Sequence, residues 1–165
     1  MVNGIGTLRL RSSMTSLEGV IQNCRMLAVK QNQTMSTHFM LTGYGATHGV
    51  LAYIKKASDA NPVLTGDSQV QLEEPVIRVT TLSGAGAPTI ALDSSILGFT
   101  PQTGDPSFTT TGLPCAYSGG HCLNNAFVYY FHDTRPAPQT GWAALSISPA
   151  GRLKKWFWNG STRTS

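Results

Sequence analysis

Charge is scarce in this chain of 165 residues: Asp, Glu, Lys and Arg together make up 12% of it, about half the ~25% of an ordinary soluble domain. Long apolar runs are missing too. The densest, AFVYYF at 126–131, falls far short of the ~18 residues that a bilayer-spanning helix needs. Enzyme signatures are equally sparse. There is no Gly-x-Ser-x-Gly elbow, no phosphate loop and no His-Glu-x-x-His pair. Gly84-Ala-Gly86 opens like a dinucleotide fingerprint, but Thr89 stands where the third glycine belongs, so a hairpin turn is the better reading. His38, His48, His121 and His132 are scattered without ligand spacing. Glu73 and Glu74 are neighbours, which on a strand sends them to opposite faces and prevents a paired-carboxylate mechanism. No catalysis, metal or cofactor is expected.

Ser and Thr fill the space that charge leaves, with 15 and 19 residues beside 17 Gly and 9 Pro. That composition favours extended, turn-rich structure and leans toward an extracytoplasmic address. The net charge of +4 is too mild to name a partner. The length fits one domain able to bury a core without staples. The opening MVNGIG has neither the basic nor the apolar region of an export signal. An exported composition without a signal leads to the expectation of an N-terminus that has been trimmed.

Only the first fifth has helical periodicity. Leu10, Met14, Leu17, Ile21, Cys24 and Ala28 recur at steps of 4, 3, 4, 3 and 4, one apolar stripe on a helix over about 7–31. After Asn32 the period becomes two, predicting strands at 35–41 and 50–54 with a turn at Gly43-Tyr-Gly45 between them, a loop at 58–68, and strands at 75–82 and 89–92 around a turn at 84–88. A short strand at 96–99, a loop at 101–106 and a β-prone piece at 108–111 follow. The segment 126–132 has aromatics on both faces and reads as a central strand covered on both sides. A hairpin then joins 142–148 to 152–158 through Pro149-Ala-Gly151, leaving a tail at 159–165. The expectation is an α+β fold, a long helix followed by seven or eight antiparallel strands in a β-domain over about 35–158.

Cys115 and Cys122 bracket a loop with two adjacent glycines. A bridge there would close a loop of about eight residues, worth roughly 2.5 kcal/mol in the chain-entropy model. Two free thiols, or a metal site borrowing His121, are the alternatives, and the second lacks a fourth ligand. Cys24 lies on the helix stripe and reads as a buried free thiol.

The last hairpin carries the most distinctive chemistry. On a regular strand Arg152, Lys154, Trp156 and Trp158 share one face, while Leu153, Lys155 and Phe157 share the other. Two cations beside two indoles suit an anionic, stackable partner such as single-stranded nucleic acid. The plainer reading is that the tryptophans cover the sheet and the cations keep an edge strand soluble.

Two segments carry a likeness to a known family. LEGVIQNCRMLAVKQNQT at 17–34, where helix passes to strand, and ISPAGR at 147–152, in the final hairpin, resemble the soluble part of type IV pilin-like proteins. The likeness is greatest to the GspH/FimT family of minor pseudopilins and minor pilins. LGFTP at 97–101 and FTTTG at 108–112 are similar to the middle of that domain. The resemblance spans about 7–158 and implies a single pilin-like domain, anchored in the inner membrane through an apolar helix segment absent from this chain. It implies packing with other pilins or pseudopilins through the N-terminal helix, in a type IV pilus or a type II secretion pseudopilus, at or near the tip. The domain would lie in the periplasm or in an extracellular pilus. Some fimbrial members bind DNA during uptake through a C-terminal Gly-Arg-x-Arg motif. The matching positions here are Gly151, Arg152, Leu153 and Lys154. Lysine keeps the charge of the second arginine but loses its planar fork, and Lys155 is placed to compensate. The candidate DNA-contacting residues are therefore Arg152, Lys154, Lys155 and Trp158.

Overall fold

The frame is set by one helix and what it lies across. The computed structural model describes residues 2–42, 49–72, 74–84, 86–89, 91–136, 140–159 and 162–164. Helix α1 (Val2–Gln31) starts five residues earlier than periodicity predicts. Once the packed portion is helical, each added residue gains a bond, and the ~1 kcal/mol cost of a glycine does not stop propagation. Its C-terminus closes in a Schellman arrangement. Asn32 takes the left-handed conformation at φ 52°, with Gln33 N–H donating to Ala28 O at 3.1 Å and Asn32 N–H to Val29 O at 3.2 Å.

Two antiparallel sheets follow. The first contains β1 (Met35–Thr42), β2 (Gly49–Lys56), β3 (Gln69–Gln71), β6 (Ser107–Phe108), β7 (Pro114–Ser118) and β8 (His121–Asn124), in the order β3-β2-β1-β6-β7-β8. The second contains β4 (Val76–Val79), β9 (Ala126–Asp133), β10 (Gly141–Ile147), β11 (Leu153–Asn159) and β12 (Thr162–Thr164), in the order β12-β11-β10-β9-β4. Strand β5 (Pro101–Gln102) adds to β9 in parallel.

Leu10, Met14, Leu17, Ile21, Cys24 and Ala28 are all buried, in one cluster with Ala52 and Ile54 of the first sheet and Phe127, Tyr129, Phe131, Leu145 and Ile147 of the second. Each large apolar side chain so placed contributes about 1.5–3 kcal/mol. The other face of the second sheet carries a separate cluster of Val128, Tyr130, Trp142, Ala144, Trp156 and Trp158 with Leu92. Strand β9 is thus covered on both faces, as its two-sided aromatics require.

Several expectations are corrected. Twelve strands occur among the described residues, more than the seven or eight expected, because pieces as short as two residues pair wherever a neighbouring edge is open. Of the strand expected at 89–92, Thr89, Ala91 and Leu92 lie in no strand, and Ile90 falls outside the described residues. Leu92 is held instead by its N–H donating to the Tyr130 hydroxyl at 2.6 Å. The strand expected at 96–99 is a helical turn, α2 (Ser94–Leu97), capped by Asp93 and closed by left-handed Gly98. The tail at 159–165 contains β12, and the loop at 101–106 begins with β5. The turn expected at Gly43-Tyr-Gly45 lies outside the described residues.

Candidate functional site

Strand alternation places the chemistry of the last hairpin on two different surfaces. Pairing of β10 with β11 sets Ala144 opposite Trp156, Ser146 opposite Lys154 and Trp142 opposite Trp158 on the outer face. Lys155 lies opposite Leu145 on the helix side. Its ammonium reaches α1, 2.7 Å from the Glu18 carboxylate and 3.4 Å from the Thr15 hydroxyl. Lys155 therefore does not join Arg152 and Lys154, and its charge is already committed. Trp158 is also removed from the candidate surface. It is 8% exposed and packs with Tyr130 at a ring separation of 6.3 Å, so no base reaches its face.

Arg152 and Lys154 remain, both exposed, and neither has a carboxylate partner among the described residues. They line a groove of about 460 Å³ with Ser146, Ser148 and Trp156 from the hairpin and Ile96, Leu97 and Phe99 from the α2 segment. The hairpin turn is tightly bonded. Ser148 N–H donates to Arg152 O at 2.9 Å, Gly151 N–H to Ser148 O at 2.8 Å, and Arg152 N–H to the Ser148 hydroxyl at 3.1 Å. Trp156 donates its indole N–H to Ser146 Oγ at 2.9 Å, while the Lys154 ammonium sits 3.8 Å from the centre of its ring, a cation–π contact.

The far wall is held as firmly. The Ser95 hydroxyl, together with the N–H groups of Ser95 and Ile96, keeps the Asp93 carboxyl below its usual range. The Tyr130 hydroxyl that anchors Leu92 is pushed up by burial. Sequence reasoning missed this wall because 96–99 read as strand. The signal was present in Asp93-Ser-Ser and Gly98, a helix cap and a left-handed stop.

Gly151 of the motif has a structural duty. It sits at φ +81°, where a Cβ would meet Arg25 Cζ and Nη1 at 3.3 Å. The same guanidinium donates to Gly151 O at 3.3 Å, and its Nε would lie 3.2 Å from a Cβ on Gly112. Arg25 thus threads between two glycine turns, tying α1 to both sheets.

Cys115 and Cys122 are joined by a disulfide, with Cα atoms 5.3 Å apart, across a β7–β8 hairpin turned by Gly119 and Gly120, both at positive φ. Cys24 is free and buried. Burial pushes its thiol up to about 12, against the pull of the Thr37 hydroxyl. A smaller cavity of about 250 Å³ lies beside His38 and Asp105. There Asp105 bridges His38 Nδ1 at 3.0 Å and Arg78 Nη1 at 3.2 Å, a polar staple between β1 and β4. No group of metal-binding side chains occurs among the described residues, and no described helix is long and apolar enough to cross a membrane.

No family model matches the chain, and no curated protein or solved structure matches it significantly.

Proposed function

We propose that this chain is a non-catalytic minor pilin or pseudopilin subunit, built into a type IV pilus or type II secretion pseudopilus at or near the tip. In that reading the domain lies in the bacterial cell envelope, periplasmic or extracellular, and is anchored before assembly by a membrane segment preceding α1. The observation that carries it is the free face of α1. Leu8, Met26 and Val29 are 67%, 66% and 51% exposed. At about 100° per residue, Leu8 and Met26 share one angular position, roughly opposite the buried stripe. A long helix that buries one side on its own sheets and shows apolar residues on the other is suited to packing beside further helices. Met26→Asp and Leu8→Asp should leave the melting temperature of the domain within about 2 °C, since surface changes cost little. Both should abolish its recovery in sheared filaments when the full-length protein is expressed with its assembly machinery. Normal incorporation of both variants would refute the reading.

A second reading, DNA capture by a minor pilin of an uptake pilus, is favoured by one specific observation. Arg152 and Lys154 share a groove in which no carboxylate is among the described lining residues. The chain's carboxylates at Glu18, Asp59, Asp67, Asp105 and Asp133 are engaged by cations elsewhere. Neither Arg152 nor Lys154 is paired with a carboxylate among the described residues, so both can meet a polyanion.

A further inference from the structure

We propose that the groove between α2 and the β10–β11 hairpin receives one unpaired nucleotide, so that the domain selects single-stranded over duplex DNA. This deepens the DNA-capture reading and rests on it. The groove has two chemically distinct sides. One offers Arg152, Lys154 and the Ser148 hydroxyl; the other offers Ile96, Leu97 and Phe99, all partly exposed. A phosphate alone would satisfy the first side and leave the second wet. A duplex presents phosphates outward and keeps its bases stacked within, so it reaches the cations but cannot cover the apolar wall. An unstacked nucleotide does both, with its phosphate on the cations and its base against Phe99. The size agrees, since about 460 Å³ falls within the ~300–1,000 Å³ typical of small-ligand sites.

The indoles are not the stacking platform. Trp142 and Trp158 are buried, and Lys154 occupies the face of Trp156. That leaves Phe99 as the residue that distinguishes strandedness, and Arg152 and Lys154 as residues that serve any nucleic acid.

The test is fluorescence anisotropy on the intact domain. The probes are a labelled oligothymidylate strand, a blunt duplex of equal length, and heparin as competitor. The strand should bind about fivefold or more tighter than the duplex, the lower end of what one stacked base supplies. Phe99→Ala and the volume-keeping Phe99→Leu should both bring the strand down to the duplex affinity without weakening the duplex, melting curves serving to check folding. Arg152→Ala and Lys154→Ala should weaken both. Duplex binding as tight as the strand, or a strand preference untouched by both Phe99 variants, overturns the inference while leaving DNA capture standing. Absence of binding to either probe at low salt overturns both, whereas displacement of the strand by heparin as readily as by unlabelled oligothymidylate, heparin having no bases to stack, overturns the inference alone.

Discussion

Replacing Gly151 by alanine places a methyl group at φ +81°, 3.3 Å from the Cζ and Nη1 atoms of Arg25. Left-handed backbone costs an L-residue about 1–2 kcal/mol. The contact adds to that, because Arg25 has no simple retreat. Its Nε lies 3.2 Å from the Cβ position of Gly112 on its other side. Moving it forfeits the hydrogen bond to Gly151 O, a charge-assisted bond worth about 1.5–3 kcal/mol when fully kept. The sum is about 2.5–5 kcal/mol, or roughly 5–20 °C in melting temperature for a chain of this size. The assay is urea unfolding of four proteins: wild type, Gly151→Ala, Arg25→Ala and the double variant. With Arg25 truncated the methyl meets nothing from that side chain, so the glycine penalty should fall to the backbone strain alone. A coupling of about 1 kcal/mol or more is expected. Additivity within about 0.5 kcal/mol, or a neutral Gly151→Ala, would refute the argument that Arg25 fastens the helix to this turn.

Other outcomes follow from the same geometry. Ile21→Asp, at a position with no exposure, should destabilise by about 4 kcal/mol or more, since it removes packing and buries a carboxyl without a partner; an unchanged melting temperature would count against the helix placement. Cys115 and Cys122 should resist alkylation until reduced, and Cys24 should label only on unfolding because burial keeps its thiol near 12, as mass spectrometry of labelled protein can read. If DNA binds, the slope of log affinity against log salt should be about −2, reduced by about one unit in Arg152→Ala or Lys154→Ala but unchanged in Lys155→Ala, whose charge already faces Glu18. Burial pulls Lys55 down, but Asp59 and Asp67 outweigh it and raise the group above 10.5; the N–H of Asn61 foremost, with Lys55, holds Asp59 below 3.8. The stability deficit of Lys55→Met, measured by urea unfolding across pH, should therefore be full near neutrality. It should shrink as pH falls through the lowered Asp59 value or rises through the raised Lys55 value.

Local pattern and tertiary arrangement contributed different parts of this molecule. The helix stripe from Leu10 to Ala28, the strand at 35–41, the two-sided β9 and the final hairpin were legible because each is a periodicity of side-chain burial, and burial against one broad face imposes period 3.6 or 2 directly on the residues. The turn at Gly119-Gly120 and a bridge across it were legible from the glycines and cysteine spacing, but strands β7 and β8, read as loop, were not. The short helix at Ser94–Leu97 was obscured because one turn is too brief to show a period, so its only marks were Asp93 and Gly98 at the caps. Strands of two or three residues are defined by the neighbour they pair with, which no local window contains. The candidate site shows the same division. Alternation put Lys155 on the opposite face from Arg152 and Lys154, yet in sequence it still counted with them as a DNA contact; only the packing of α1 against β11 decided that Lys155 would be spent on Glu18. Only the folding of residues 91–99 over the outer sheet face decided that Trp158 would be buried and that Phe99 would face Arg152 and Lys154 across a groove. Charge and polarity are properties of a residue; whether a charge is free, or an aromatic face open, depends on what distant segments have already claimed.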